Sequence, residues 1–209
     1  MDKLKDSDIR LLLKRKFTSF AEFTLDSTTI VVDELDVCFG SARVDVAVIN
    51  GRLHGFEIKS ESDNLDRLPS QIEFYSRVFD TMTLVVSKNH LEKARKIVPK
   101  WWGVDCVVSS KSSAVTIKTL RKPKQNKKVE MFDLTQLLWK NELIELLEMN
   151  NIIKGTKSKT RFELGNVVIE NLSNNDITEF VKHKLKSRQE WRAVPIQQLC
   201  GDLPLLLPN

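Results

Sequence analysis

The sequence predicts an α/β protein, a central mixed sheet flanked by helices, with a small helical region towards the C-terminus. Three observations carry this. Residues 43–59 alternate charged and apolar side chains about an Asn50-Gly51 turn, the mark of a β-hairpin. Residues 60–120 alternate helical and strand patterns, as parallel additions to a sheet do. Beyond residue 130 the pattern becomes leucine-rich and amphipathic.

In chain order, residues 6–17 read as a helix capped by Asp6 or Ser7, with Ile9, Leu12, Leu13 and Phe17 on one side. Residues 28–37 are rich in β-branched side chains and form the first strand, which carries Glu34. After the hairpin, Asp63 or Asn64 caps a helix running to about Phe79, with Pro69 in its first turn or at a slight kink. A buried strand over 81–87, a helix over 89–98, a strand over 104–108 and an edge strand over 113–120 follow. Trp101 and Trp102, beside a proline and a glycine, read as core rather than as a base-stacking pair. Residues 121–128 hold five basic side chains and no apolar one beyond a proline, so 123–130 is expected as a basic linker between a domain over 1–122 and a helical domain over 131–209. That second part divides into helices over 131–150, with Asp133 as a cap or a break near Leu138, then over 162–172 and 176–191. Its basic stretches, four basic side chains in 154–161 and five in 182–192, are either phosphate contacts or solvated helix surface. The apolar, proline-broken tail after Cys200 is expected to dock on the body or to bind a partner.

The hairpin is where chemistry is expected. A two-residue Asn50-Gly51 loop would mix charged and apolar side chains on both faces. A three-residue loop over 49–51, with Gly51 left-handed, pairs Val48 with Arg52, Asp45 with Gly55 and Val44 with Phe56. Asp45, Glu57 and Lys59 then share one face, with Gly55 leaving open space beside them, while Val44, Val46, Val48, Phe56 and Ile58 form the core face. Two carboxylates and an ammonium on a rigid sheet suit a hard divalent cation, which takes oxygen ligands and keeps several waters. The lysine is placed to stabilise developing phosphate charge or to help deprotonate an attacking water.

Asp45, eleven residues, then Glu57-Ile58-Lys59 across a hairpin resembles the PD-(D/E)XK nuclease superfamily; Val44 stands where a proline is frequent. Gln71 and Tyr75, four apart on the following helix, are similar to the Gln-x(3)-Tyr motif of its exonuclease-like branch, and residues 43–86 look most like a bacterial branch of the superfamily. The resemblance implies a restriction-endonuclease-like core and a magnesium- or manganese-dependent nuclease acting on DNA. Asp45, Glu57 and the Ile58 carbonyl would hold the metal, and Glu34 would support it or simply face solvent. Lys59 would be catalytic, and Gln71 and Tyr75 would organise the lysine or a substrate phosphate. A homodimer is also compatible with it. The alternative is a catalytically silent nucleic-acid-binding or regulatory module on the same scaffold.

Composition narrows the remaining classes. Lys and Arg exceed Asp and Glu by 33 to 28, a mild bias that permits a polyanionic partner. Three widely spaced cysteines argue against a disulfide framework and the three histidines are scattered, so no zinc spacing arises. The charged N-terminus lacks the pattern of a secretory signal, no stretch reaches the length of a membrane span, and a cytoplasmic protein is expected.

Overall fold

The computed structural model describes residues 4–109, 115–188 and 191–201. Its centre is a seven-stranded mixed sheet in the order β6-β5-β4-β3-β2-β1-β7. The strands are β1 (Ile30–Val37), β2 (Ala42–Ile49), β3 (Leu53–Lys59), β4 (Thr81–Ser87), β5 (Gly103–Ser109), β6 (Val115–Arg121) and β7 (Ala193–Pro195). The β1-β2-β3 meander is antiparallel, β3-β4-β5 is parallel, and β6 and β7 close the two edges antiparallel. The expected strands fall in place, including the edge position of β6; β7, three residues long, had no signal of its own.

Helices cover both faces. On one lie α1 (Asp6–Phe17) and the short α2 (Ala21–Thr24), whose Ile9, Leu13, Phe17 and Phe23 pack on Val46, Val48, Phe56 and Ile58. Phe17 and Phe23 meet edge to face with centroids 5.6 Å apart. Lys16 anchors α1 to the far strands through a 2.6 Å ion pair with buried Asp105. The other face carries α3 (Leu68–Ser76), α4 (Leu91–Ile97), α5 (Met131–Thr135), α6 (Lys140–Met149), α7 (Arg161–Asn171) and α8 (Asn174–Ser187). Trp102 is fully buried there, as its sequence context suggested. A last helix, α9 (Ile196–Gly201), follows β7. Among the described residues no helix is long and apolar enough to cross a membrane.

Three boundaries differ from expectation, the first through a local turn and the other two because tertiary contacts outweigh local pattern. The α3 helix begins at Leu68 with Pro69 in its first turn; Asp63 instead accepts from the amide and hydroxyl of Ser60 and closes the loop that leaves β3. Residues 123–130 are docked rather than free, since buried Asn126 donates to the carbonyls of Ser76 and Phe79, and Lys124 to that of Trp101. The helices after residue 131 share one continuous core with the sheet, where Leu134, Leu143, Leu164 and Val181 cluster with Val32, Ala47 and Leu84. The region over 131–201 is thus tied to the sheet by both its core and β7. The tail beyond Gly201 lies outside the described residues.

Candidate active site

The hairpin turn is one step further along than its sequence suggests. Ile49 pairs with Leu53, Val48 with His54 and Ala47 with Gly55, so the three-residue turn is 50–52 and Gly51 is not left-handed. Asn50 decides this: its side chain accepts from the amide of Arg52 and donates to the Glu22 carbonyl, both at 2.8 Å. A two-residue change in register preserves parity along the ladder, and beyond it, where the alternation reverses beside Asp45, the charged side chains meet in one cleft because the strands part there. Two details change. Gly55 faces Ala47, and its Cβ position is filled by Met82 Sδ, 2.3 Å from where a methyl would sit; it is a close-approach site, not open space. Val44 also lies in the opposite core layer from Val46. Glu34, paired in sequence register with this point, is left-handed at φ 55° and reverses the alternation of β1, so that Leu35 turns to the layer of Val32 rather than of Val31.

The β2-β3 ladder ends at Val46 and Phe56, and the next residue on each strand is Asp45 and Glu57. Here the strands part and Asp45 Oδ2 accepts the Ile58 amide at 2.6 Å. Buried Lys59 donates to Glu57 Oε1 at 2.5 Å. The Tyr75 hydroxyl lies 2.6 Å from the Arg43 carbonyl and 2.9 Å from Glu57 Oε2, and Gln71 Nε2 approaches the same hydroxyl at 3.4 Å. A phenol has one proton, so if it serves the Arg43 carbonyl, the Glu57 contact calls for a proton on the carboxyl. The electrostatics point the same way. Burial, reinforced by Glu57, pushes Asp45 up to about 8, and burial raises Glu57 despite Lys59. Burial and Glu57 also raise Tyr75, which keeps it a phenol. Two carboxyl groups that resist ionising together will take up either a proton or a cation.

Asp45, Glu57, Lys59 and Gln71 line a cleft of about 450 Å³, together with Asp63, Arg67, Ser70 and Glu34, while Tyr75 is fully buried behind Glu57. The structure therefore brings together Asp45, Glu57, Ile58, Lys59, Gln71 and Tyr75. Glu34 is in the cleft as well, but its carboxylate is engaged by Arg10 at 2.7 Å. Arg10, on α1, is the residue the sequence reading missed. It also meets Asp6 at 2.9 Å, lies 3.7 Å from Asp45 Oδ1 and donates to the Asp45 carbonyl. Burial disfavours its charge, but Asp6, Glu34 and Asp45 more than offset this and hold it protonated. Its one local signal is the Asp6-Arg10 spacing of four, which any surface helix shares. The buried Oε1 of Gln71 has no hydrogen-bond partner. Among the described residues no group of three or more His, Cys, Asp or Glu side chains is arranged to hold a metal ion.

The chain matches, over residues 11–197, the protein-family model described as Bacteriophage P4 protein cII. It belongs to the phage P4 cII family. One relative is the protein called Protein cII of Enterobacteria phage P4, 31% identical over 162 residues, which are 78% of this chain and 60% of that protein. This P4 cII family chain thus spans about 60% of the length of the curated relative it matches. No solved structure matches it.

Proposed function

We propose that this P4 cII family protein is a metal-dependent nuclease that hydrolyses phosphodiester bonds in DNA through the Asp45-Glu57-Lys59 cleft. The observation that carries the reading is the crowding of a half-buried and a buried carboxyl group, Asp45 and Glu57, both raised, with a buried lysine at the point where a hairpin opens. Such an arrangement costs stability, and a fold that used this sheet only for packing would have no use for it. The resemblance of Asp45, Glu57, Lys59, Gln71 and Tyr75 to the PD-(D/E)XK pattern supports it. So does the element order: a helix, an antiparallel three-stranded meander, a second helix and a strand parallel to β3.

The residues fit a hydrated Mg²⁺ or Mn²⁺. All candidate donors are hard oxygens, two carboxylates and a carbonyl suffice for a cation that retains several waters, and the orphaned Gln71 Oε1 is an acceptor suited to such a water. Asp45, Glu57 and the Ile58 carbonyl would hold the ion, which would supply Lewis acidity and a more acidic bound water. Lys59 places a positive charge beside Glu57 to stabilise the anionic transition state or to orient the attacking water. Tyr75 and Gln71 position Glu57 from behind. Arg10 holds the Glu34 and Asp45 carboxylates at the back of the cleft.

A second reading, a binding or regulatory module without catalysis, is favoured by one observation. Asp45 Oδ2 and both Glu57 oxygens already have partners within the protein. Incubation of wild type and Asp45→Ala with supercoiled and linear DNA, with manganese or with chelator, separates the two. Manganese-dependent cleavage by wild type alone is the expected result. Absence of cleavage by a folded wild type in every metal would retire the nuclease reading in favour of the module.

A further inference from the structure

A second groove, of about 660 Å³, adjoins the cleft and shares Glu34, Asp36, Gly40 and Arg43 with it. Its walls come from the β1-β2 connection and from the helical region beyond residue 131. Phe39 lines it. The turn Cys38–Gly40 holds three consecutive residues at positive φ, 49°, 58° and 79°, and two of them are not glycine. Left-handed backbone at a cysteine and a phenylalanine is costly. Here it presents an aromatic side chain to solvent, with Phe39 48% exposed.

The surroundings are aromatic and basic. Phe39 lies 5.9 Å from Phe162 and 6.0 Å from Phe132 between ring centroids, and the Arg161 guanidinium sits 5.4 Å over the Phe39 ring. Trp139, 47% exposed, has Arg188 4.3 Å over its ring; Arg188 is itself locked to Glu142 at 2.5 Å. Helix α7 reaches this wall because Gly165 packs against Gln136 and Thr135 with no room for a side chain. The carboxylates of the groove are neutralised in place, Asp33 by Lys14, Glu34 by Arg10 and Asp36 by Arg43. Arg161 and Arg192 have no carboxylate partner among the described residues. Among the described residues the Arg161 side chain meets the Gln136 side chain and the Phe39 ring, and the Arg192 side chain meets the Glu34 carbonyl. By contrast, Lys182, Lys184, Lys186 and Arg188 of the basic C-terminal run are each bound to an acidic side chain of the protein itself.

We infer that this groove binds an unpaired nucleic-acid strand, with bases stacked on Phe39 and Trp139 and phosphates met by Arg161 and Arg192, and leads it to the Asp45-Glu57-Lys59 cleft. The delivery step rests on the nuclease reading; the binding does not. Exposed aromatic faces beside uncompensated arginines suit single strands, because base faces are available for stacking only where the duplex is open.

The test is fluorescence anisotropy with labelled oligo(dT) of about 20 nucleotides and a duplex of the same length, in chelator and moderate salt. Wild type is expected to bind the single strand at least about tenfold more tightly than the duplex. Phe39→Ala should weaken single-strand binding by about fivefold to a hundredfold, the contribution of one stacked base, and leave duplex binding unchanged. Phe39→Trp should retain it, and Arg161→Ala should weaken it and flatten its salt dependence. Equal affinity for both probes, or indifference to Phe39→Ala and Arg161→Ala, would overturn the inference, as would failure to bind either probe. If wild type still cleaved duplex DNA in that case, the nuclease reading would stand without it. Single-strand binding that depends on Phe39, in a protein that cleaves nothing, would support the groove and remove the nuclease.

Discussion

The two ends of the β2-β3 hairpin bury polar groups in opposite ways. At the turn end every group has a neutral or fixed partner. Asn50 bridges Arg52 and Glu22, Asp80 accepts the Leu53 amide at 2.8 Å, Lys182 donates to the Gly51 carbonyl at 2.8 Å, and the His54 ring meets the Thr81 hydroxyl at 2.7 Å. Burial, then Arg52, lowers His54 to about 4, so it is neutral in the fold. At the open end two carboxyl groups and an ammonium share a cleft, both acids are raised and a buried amide oxygen is unpartnered. The same strands thus supply a stabilising staple at one end and a crowded, largely buried charge cluster beside a cleft at the other. Under the proposed nuclease function, the difference lies in whether a ligand completes the site.

If that contrast is right, changes at the two ends differ in kind. The largest effect is expected from Lys59→Met, which should lower metal-dependent cleavage by about 10²–10⁴-fold, the worth of one well-placed charge in a phosphoryl transition state. Thermal melting should move little, because Glu57 can keep its proton when the cation goes; equal loss of fold and activity would assign Lys59 a structural role instead. At the turn end, Asn50→Ala should cost about 1–3 kcal/mol in chemical denaturation by orphaning buried partners, with specific activity per folded molecule intact.

Asp45→Asn should act in the opposite sense. Because its folded pKa is raised, Asp45 favours the fold fully below the ordinary carboxylate pKa, about 4, and that contribution is lost as pH climbs to about 8. In chelator at pH 8 the variant is therefore expected to be more stable than wild type by about 1 kcal/mol, and to lose the stabilisation that manganese gives wild type. Manganese raising the melting temperature of both proteins equally would place the cation elsewhere. The smallest effect concerns His54. With its folded pKa lowered, it supports the fold above the ordinary imidazole value, and this support is lost as pH falls from about 6.5 towards 4. Replacing it with Gln should remove about 1 kcal/mol of the stability lost on going to pH 5.5, as measured by urea melts at both pH values.

Much of this architecture is legible in the chain because strands and helices advertise their period. The alternation in residues 43–59 placed Asp45, Glu57 and Lys59 on one face, and the spacing of Gln71 and Tyr75 placed both on one side of α3 facing Glu57. The three do meet in one cleft, but parity holds only along the ladder; the alternation reverses beside Asp45, and the parting of the strands brings it to Glu57 and Lys59. Helix α1 and strand β4 fell within their expected bounds because their apolar residues are periodic, although Lys5, and not Asp6 or Ser7, stands at the N-cap of α1.

What local pattern could not supply were contacts made across large sequence separations. Arg10 reaches Asp45 and Glu34 from another element, and β7 meets β1 after more than 150 intervening residues. Asn126 turns an apparent linker into a docked strap because the carbonyls of Ser76 and Phe79 await a donor. Phe39 carries no local signal of its role, because the left-handed turn that exposes it belongs to the fold. Side-chain period and turn chemistry, set by neighbours a few residues apart, were determined by the sequence itself. The pairing of charges, the register of the turn and the joining of the two grooves were decided only when the tertiary structure brought distant residues within hydrogen-bonding range.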